Sequence, residues 1–164
     1  MSDPVVPKPG SSMERVAQTA ERLGLVITLR VMAQSTRTAE DAAAACGCAV
    51  GQIVKSLVFE NAADGALVLV LVSGDRNADL DYISKIYDIQ LKRCDGKRVR
   101  KETGFAIGGV APIGHTEPIR TLMDEALLGY DTVWAAAGRP DAVFNADPKA
   151  LAEAISPQIV RVVT

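Results

Sequence analysis

Four groups of residues in this chain have types and spacings that could carry chemistry. Lys55 sits in Gln52-Ile53-Val54-Lys55-Ser56-Leu57-Val58-Phe59, where Val54, Leu57 and Val58 around it are all apolar. A lysine on the solvent side of a half-exposed strand explains that pattern, and so does a cation aimed at an anionic ligand. The stretch Gly104-Phe105-Ala106-Ile107-Gly108-Gly109-Val110-Ala111-Pro112-Ile113-Gly114-His115 is apolar, broken by four glycines and a proline, and ends in the only histidine. A glycine pair and a proline suit a strand interior poorly. Glycine serves where the chain needs positive φ or where a ligand must approach bare amides, and Pro112 fixes its own φ while biasing Ala111 toward an extended conformation. The stretch reads as a stiff loop presenting main-chain groups. Fixed amides of that kind can stabilise a developing oxyanion, which would support acyl transfer without a side-chain nucleophile. They could equally only bind. His115 reads first as a structural residue bonding a nearby carbonyl.

The third group is Lys92-Arg93-Cys94-Asp95-Gly96-Lys97-Arg98-Val99-Arg100-Lys101, which holds six of the 18 Lys and Arg. It is either a solvated helix face or a phosphate-contacting patch leading into the glycine loop. The fourth is Cys46-Gly47-Cys48, which lacks the two-residue spacer of common zinc and redox motifs and, with Cys94, makes an odd count. With one histidine available, a transition-metal site is not expected, and Cys46 and Cys48 read as small core residues of a reduced chain.

Several function classes are disfavoured. There is no G-x-S-x-G elbow, no phosphate-binding P-loop and no H-E-x-x-H. The formal charge of −2 means that a polyanion would have to be met by a local patch. Aromatic residues at 4% leave only a thin base-stacking surface. No charged-then-apolar leader and no apolar run of about 18 residues is present, so the expectation is a cytoplasmic protein that neither is secreted nor spans a membrane.

These groups must be positioned by one core, since 164 residues with 48% apolar content suit a single domain. Residues 1–10, rich in proline, are set aside as a flexible tail, leaving 11–164 as the domain. Ser11 with Glu14 predicts a helix over 12–23 closed by Gly24. Leu25 to Ala33 reads as a strand, and Thr38 with Asp41 opens an Ala-rich helix ending near Gly47. Residues 51–60 and 66–73 around Asp64-Gly65 read as a β-hairpin. Ala78 to Tyr87 reads as a helix. Strands are expected at 118–123, 132–137, 142–145 and 158–163, with a helical piece at 124–128 and a helix from Asp147-Pro148 to about Ile155. Strands outnumber helices without clean alternation, which gives an α+β class with a mixed, curled sheet.

Taken together, Ser35-Thr36-Arg37-Thr38-Ala39-Glu40-Asp41-Ala42-Ala43, the Gln52 to Phe59 segment, Ser73-Gly74-Asp75-Arg76 and Gly108 to His115 resemble the YbaK family. That family contains free-standing trans-editing deacylases and the editing insertion domain of bacterial prolyl-tRNA synthetase. The similarity covers nearly everything after the tail, in the same order. It implies a compact α+β domain around a mixed, barrel-like sheet, and hydrolysis of the ester joining a wrong amino acid to the tRNA 3′ end. No metal or organic cofactor is expected. Lys55 falls on the family's strand lysine and would hold the terminal adenosine and its phosphate. Gly108 opens the family's G-x-x-x-P loop and would share the catalytic role by shaping the ester's surroundings. Ser56, Asp75, Gly109, Val110, Ala111, Pro112, His115 and Ala137 are the implied substrate-binding residues. Lys97, Arg98, Arg100 and Lys101 would contact the tRNA backbone.

The Cys-specific branch carries a Ser-Gly-Gly-type turn and then an Asp, where this chain has Ala136-Ala137-Gly138 and Ala142-Val143-Phe144. The departure favours Ala, 2-aminobutyrate, Ser or Thr on tRNAPro, among which an apolar pocket separates neighbours by only ~1–3 kcal/mol per methylene. The implied partner is tRNA, with a synthetase as a candidate for delivering it. The rival from another class is a non-catalytic aminoacyl-tRNA-binding module of the same fold, and a third reading is a hydrolase of another small ester.

Overall fold

The computed structural model describes residues 3–33 and 38–163. Ser35, Thr36 and Arg37 of the first family motif lie outside the described residues. The centre of the fold is β3 (Leu67–Ser73), seven consecutive buried residues. Such a strand does not alternate because both its faces are covered. Leu69 and Leu71 point into the larger core cluster, with Met123, Phe144 and Leu151, while Val68, Val70 and Val72 point into a second one with Ile83, Ile89 and Leu122.

β3 pairs antiparallel with β2 (Ile53–Asn61) across the Asp64-Gly65 turn, in which Gly65 takes φ +75°. On its other side it runs parallel to β5 (Arg120–Asp124), which in turn runs parallel to β8 (Gln158–Val160). Beyond β2 lie β6 (Val133–Ala136), β7 (Ala142–Ala146) and β1 (Thr28–Val31). The sheet order is thus β1-β7-β6-β2-β3-β5-β8, with β4 (Leu91–Arg93) attached to β2 off that path. The result is the expected mixed α+β architecture.

The helices begin where local chemistry satisfies their orphan amides. Ser11 accepts from the Glu14 N–H at the start of α1 (Ser12–Leu23), and Gly24 closes it at φ +70°. Thr38 and Gly47 do the same for α2 (Ala39–Cys46). Asp79 caps α3 (Leu80–Tyr87), Asp95 caps α4 (Gly96–Thr103), and Asp147 with Pro148 opens α5 (Pro148–Ile155). The piece expected at 124–128 is a 3-10 helix, Glu125–Gly129, started by Asp124. The buried Asp124 carboxylate accepts from the Ala126 N–H (2.9 Å) and from the Ser73 N–H (3.0 Å), so one side chain both caps the turn and ties it to β3.

The structure differs from the sequence reading in several places: residues 50–52 form a 3-10 turn where the strand was expected to begin at 51, and β4 and α4 are elements the reading did not assign. The strand expected over 25–33 shortens to β1, and the one expected over 158–163 shortens to β8, because only those residues find a partner. Within the N-terminal stretch, Pro4 bridges Arg30 of β1 and the Val5 N–H donates to the Leu29 carbonyl (2.9 Å). Among the described residues no helix is long and apolar enough to cross a membrane.

One feature of β2 prepares a site. On the edge away from β3 it pairs with β6 only at Ile53–Val54 and with β4 only at Phe59–Asn61. Between them, Lys55 to Val58 have no neighbouring strand on that edge among the described residues. Unpaired strand edge offers main-chain donors and acceptors to whatever lies beside it.

Candidate active site

The gap in β2 is faced by the glycine loop. Ser56 to Phe59 form one side of a cleft of about 180 Å³, Cys94 and Val99 a second, and Ile107, Gly108 and Val110 close it. The Ser56 hydroxyl is buried there without a hydrogen-bond partner among the described residues. A buried hydroxyl left unpaired costs on the order of 1–3 kcal/mol, which a polar substrate group entering the cleft would recover.

The two adjacent glycines of the loop answer different demands. Gly108 is exposed and takes φ +89°, and the space around it is open, with Pro140 Cγ at 3.8 Å from a Cβ placed there. Gly109 is buried, and a Cβ on it would come within 2.9 Å of Arg139 Cα and 3.0 Å of Arg139 N. The first supplies the conformation; the second lets two backbones touch. The Gly109 N–H is used by the Ala106 carbonyl (3.0 Å), while the Gly108 N–H makes no hydrogen bond among the described residues.

The remaining residues singled out from sequence divide by place. Ser56, Gly108 and Val110 share the cleft. Lys55 alternates to the other face of β2 from Ser56, and its Nζ donates to the Arg76 carbonyl. One of its three N–H donors is so engaged. Asp75, in the same turn, accepts from the Ser73 hydroxyl (3.0 Å) and lies outside the cleft lining. Gly109, Ala111 and Pro112 are buried and line no part of the cleft. Ala137 is fully buried in the main core, its N–H donating to the Ala142 carbonyl (2.9 Å). It lines no part of the cleft: its side chain lies in the core, while the β6–β7 turn that follows sets the Arg139 backbone against Gly109.

His115 lies apart from the cleft. Its Nε2 meets the Ala111 carbonyl at 2.7 Å, which assigns the proton to that nitrogen, and its ring stands edge-on to Phe105 with centroids 5.8 Å apart. Burial holds the imidazole below its ordinary pKa of 6.5, against the opposing pull of the Ala111 carbonyl. The unfolded chain therefore binds this proton more readily, so stability falls as pH drops below about 6.5 toward the lowered folded value. Urea unfolding between about pH 7.5 and about 5.5 is expected to show that loss in the wild type and a flatter profile in His115→Gln. Equal slopes in the two proteins would contradict this.

Cys94 and Val99 were not recognised from sequence as cleft residues. Burial raises the Cys94 thiol above its usual pKa, with Arg98 pulling the other way, so it is a neutral apolar wall rather than a nucleophile. The signal that was present is the helical spacing of Val99 and Thr103, both buried, which turns the rest of α4 outward. Lys97, Arg100 and Lys101 are exposed on that outer face, with no ion pair among the described residues. Arg98 is different: it pairs with Glu60 (3.1 Å) and Glu102 and donates to the Gly65 carbonyl, pinning α4 to the β2–β3 hairpin. Among the described residues no group of three or more His, Cys, Asp and Glu is placed to hold a metal ion.

Comparison with known proteins identifies the family. The family model of the aminoacyl-tRNA editing domain matches residues 33–154. The uncharacterized protein YwhH of Bacillus subtilis (strain 168) is 29% identical over 119 residues, 73% of this chain and 75% of that protein. The "Putative Cys-tRNA(Pro)/Cys-tRNA(Cys) deacylase EbsC" of Enterococcus faecalis (strain ATCC 700802 / V583) is 26% identical over 128 residues, 77% of each. A crystal structure of "a putative trans-editing enzyme for prolyl tRNA synthetase" superposes with a TM-score of 0.87 at 41% identity, covering 97% of this chain and 99% of that one. The family match over residues 33–154, the superposition on that structure at 41% identity and the mixed α+β sheet they share place this chain in the aminoacyl-tRNA editing domain family, as an aminoacyl-tRNA deacylase.

Proposed function

We propose that the protein hydrolyses, in trans, the ester of mischarged aminoacyl-tRNA, with tRNAPro carrying Ala, 2-aminobutyrate, Ser or Thr as substrate. The observation that carries this reading is the cleft between the unpaired edge of β2 and Gly108. At about 180 Å³ it is smaller than the roughly 300–1,000 Å³ of pockets that enclose drug-sized ligands. It admits a small aminoacyl group and leaves the nucleotide outside. The Ser56 hydroxyl gives that group one polar contact, and the remaining lining is mainly apolar.

Water attacks the ester carbonyl carbon and the carbonyl oxygen becomes an oxyanion; its collapse to the carboxyl group breaks the bond to the ribose oxygen, which takes up the proton that the attacking water gives up. The Gly108 N–H, free of an internal acceptor and on the cleft, is the main-chain donor suited to the oxyanion. Lys55, on the opposite face of β2 from the cleft, holds the terminal adenosine and its phosphate outside it, using the donors that Arg76 leaves free. Exposed Lys97, Arg100 and Lys101 meet the tRNA backbone beyond the cleft.

Deacylation of tRNAPro charged with Ala, Ser, Thr, Cys, 2-aminobutyrate or Pro tests the reading. Turnover of one or more of the small residues with Pro-tRNAPro spared is the expected result. Binding without turnover of any of them would indicate the non-catalytic module instead. Charge reversal at Lys97 and Lys101 together is expected to raise KM and to flatten its dependence on salt, by about one unit of slope for each phosphate that the variant no longer neutralises. An unchanged KM would leave α4 a solvated face.

A further inference from the structure

We infer that α1, which precedes the region matched by the family model, is the device that sets the shape of the catalytic loop, with Arg15 as its positioning residue. The inference rests on the reading of the Gly108 loop as the ester site. Arg15 Nε donates to the Gly114 carbonyl (2.6 Å) and its Nη2 to the Gly104 carbonyl (2.8 Å). One guanidinium therefore bridges the two ends of the loop. The same group lies over the Phe105 ring, 4.6 Å from its centroid, and Phe105 in turn meets the ring of His115. His115 holds the Ala111 carbonyl inside the loop (2.7 Å). The chain of contacts runs from α1 through both loop ends to its middle.

The neighbouring turn is held by the same helix. The Ser12 hydroxyl donates to the Gly138 carbonyl (2.8 Å), and that turn presents the Arg139 backbone against which Gly109 rests. Glycine chemistry marks all three contacts. Gly104, Gly114 and Gly138 have φ of +80°, +86° and +97°. A Cβ on Gly104 would lie 2.6 Å from Arg15 Nη2, one on Gly114 3.2 Å from Val16 Cα, and one on Gly138 2.9 Å from Ser12 Oγ. Each position needs the left-handed backbone and also lacks room for a side chain because α1 occupies the space. Two planar-fork hydrogen bonds to carbonyls ten residues apart are a task that a guanidinium performs and an ammonium does not. A loop whose amides must be placed before the ester arrives has use for such a clamp, since misplacement of about 1 Å is enough to cost on the order of 100-fold in rate.

The test compares Arg15→Met and Arg15→Lys with Gly108→Ala in the full chain, using Ala-charged tRNAPro and amide hydrogen exchange. Exchange at residues 104–114 is expected to quicken at least about 10-fold in Arg15→Met while the β3 amides keep their protection. The kcat is expected to fall about 10- to 100-fold with KM within about twofold, and Arg15→Lys is expected to recover little of it. Unchanged loop exchange would overturn the clamp. Faster loop exchange with wild-type kcat, where Gly108→Ala does lose activity, would overturn the positioning role and leave the loop's role standing. Wild-type kcat in both Arg15→Met and Gly108→Ala would instead bring down the reading of the loop itself. If Arg15→Met does not fold, the same comparisons on Arg15→Lys decide the matter.

Discussion

Lys55→Ala is expected to lower deacylation of small-residue tRNAPro by about 100-fold or more, on the order of 2.7 kcal/mol of transition-state stabilisation. The expectation follows from the place of Lys55 rather than from its charge alone. It stands where β2 has lost β6 and not yet gained β4, so the main chain on its free edge faces the gap while its ammonium is drawn to the Arg76 carbonyl. That carbonyl fixes the direction of the side chain and leaves two N–H donors for phosphate or ribose oxygens. The fold does not depend on it: the residue is half-buried, and the ammonium's contact is one main-chain carbonyl in an exposed turn. Thermal unfolding of the variant should stay near that of the wild type while its activity disappears. Retained activity would remove Lys55 from the reaction, and a collapse of stability in step with activity would show that its role is in folding.

Gly109→Ala is expected to damage both stability and turnover, and to do so for a reason distinct from its neighbour. The added methyl would meet Arg139 Cα, N and C at 2.9, 3.0 and 3.1 Å, all main-chain atoms without rotamer freedom. Either the loop or the β6–β7 turn must move. Overpacking of this kind costs typically about 1–3 kcal/mol, and in a chain of this size each kcal/mol lowers Tm by about 2–4 °C. Displacement of the loop carries the Gly108 N–H with it, so kcat should fall further than the loss of folded protein explains. Gly108→Ala has room for its methyl, with Pro140 Cγ at 3.8 Å, and strains only the φ of +89°. A Gly109→Ala protein with unaltered Tm and kcat would disprove the close approach of loop and turn.

Much of this was legible along the chain because it is local. The caps at Ser11, Thr38 and Asp147 with Pro148, the αL closures at Gly24 and Gly47, and the hairpin around Gly65 each depend on a few adjacent residues. β3 was legible for another reason: an unbroken apolar run of strand length can be satisfied only between two layers. The glycine loop was legible as an oddity, since Gly108, Gly109 and Pro112 contradict the strand that their apolar neighbours suggest. The family motifs around Lys55 and Gly108 then supplied an activity.

What the sequence could not supply is everything that depends on which distant segments meet. Which residues of the loop line the cleft (Gly108, Val110) and which are buried away from it (Gly109, Ala111, Pro112) shows only in the fold, where Gly109 rests on the backbone of the β6–β7 turn. The basic run was one undivided stretch until α4 formed and β2 and β3 came beside it: Arg98 then found Glu60 and the Gly65 carbonyl, while Lys97, Arg100 and Lys101 were left facing solvent. Arg15 gave no signal at all, because a guanidinium on a capped amphipathic helix looks like any solvated one until the carbonyls of Gly104 and Gly114 are brought to it. The sequence by itself determined most of the elements, the α+β class and the family motifs. Only the tertiary structure decided that the cleft exists, since a cleft made of an unpaired strand edge and a loop some fifty positions later is a property of their juxtaposition and of neither segment alone.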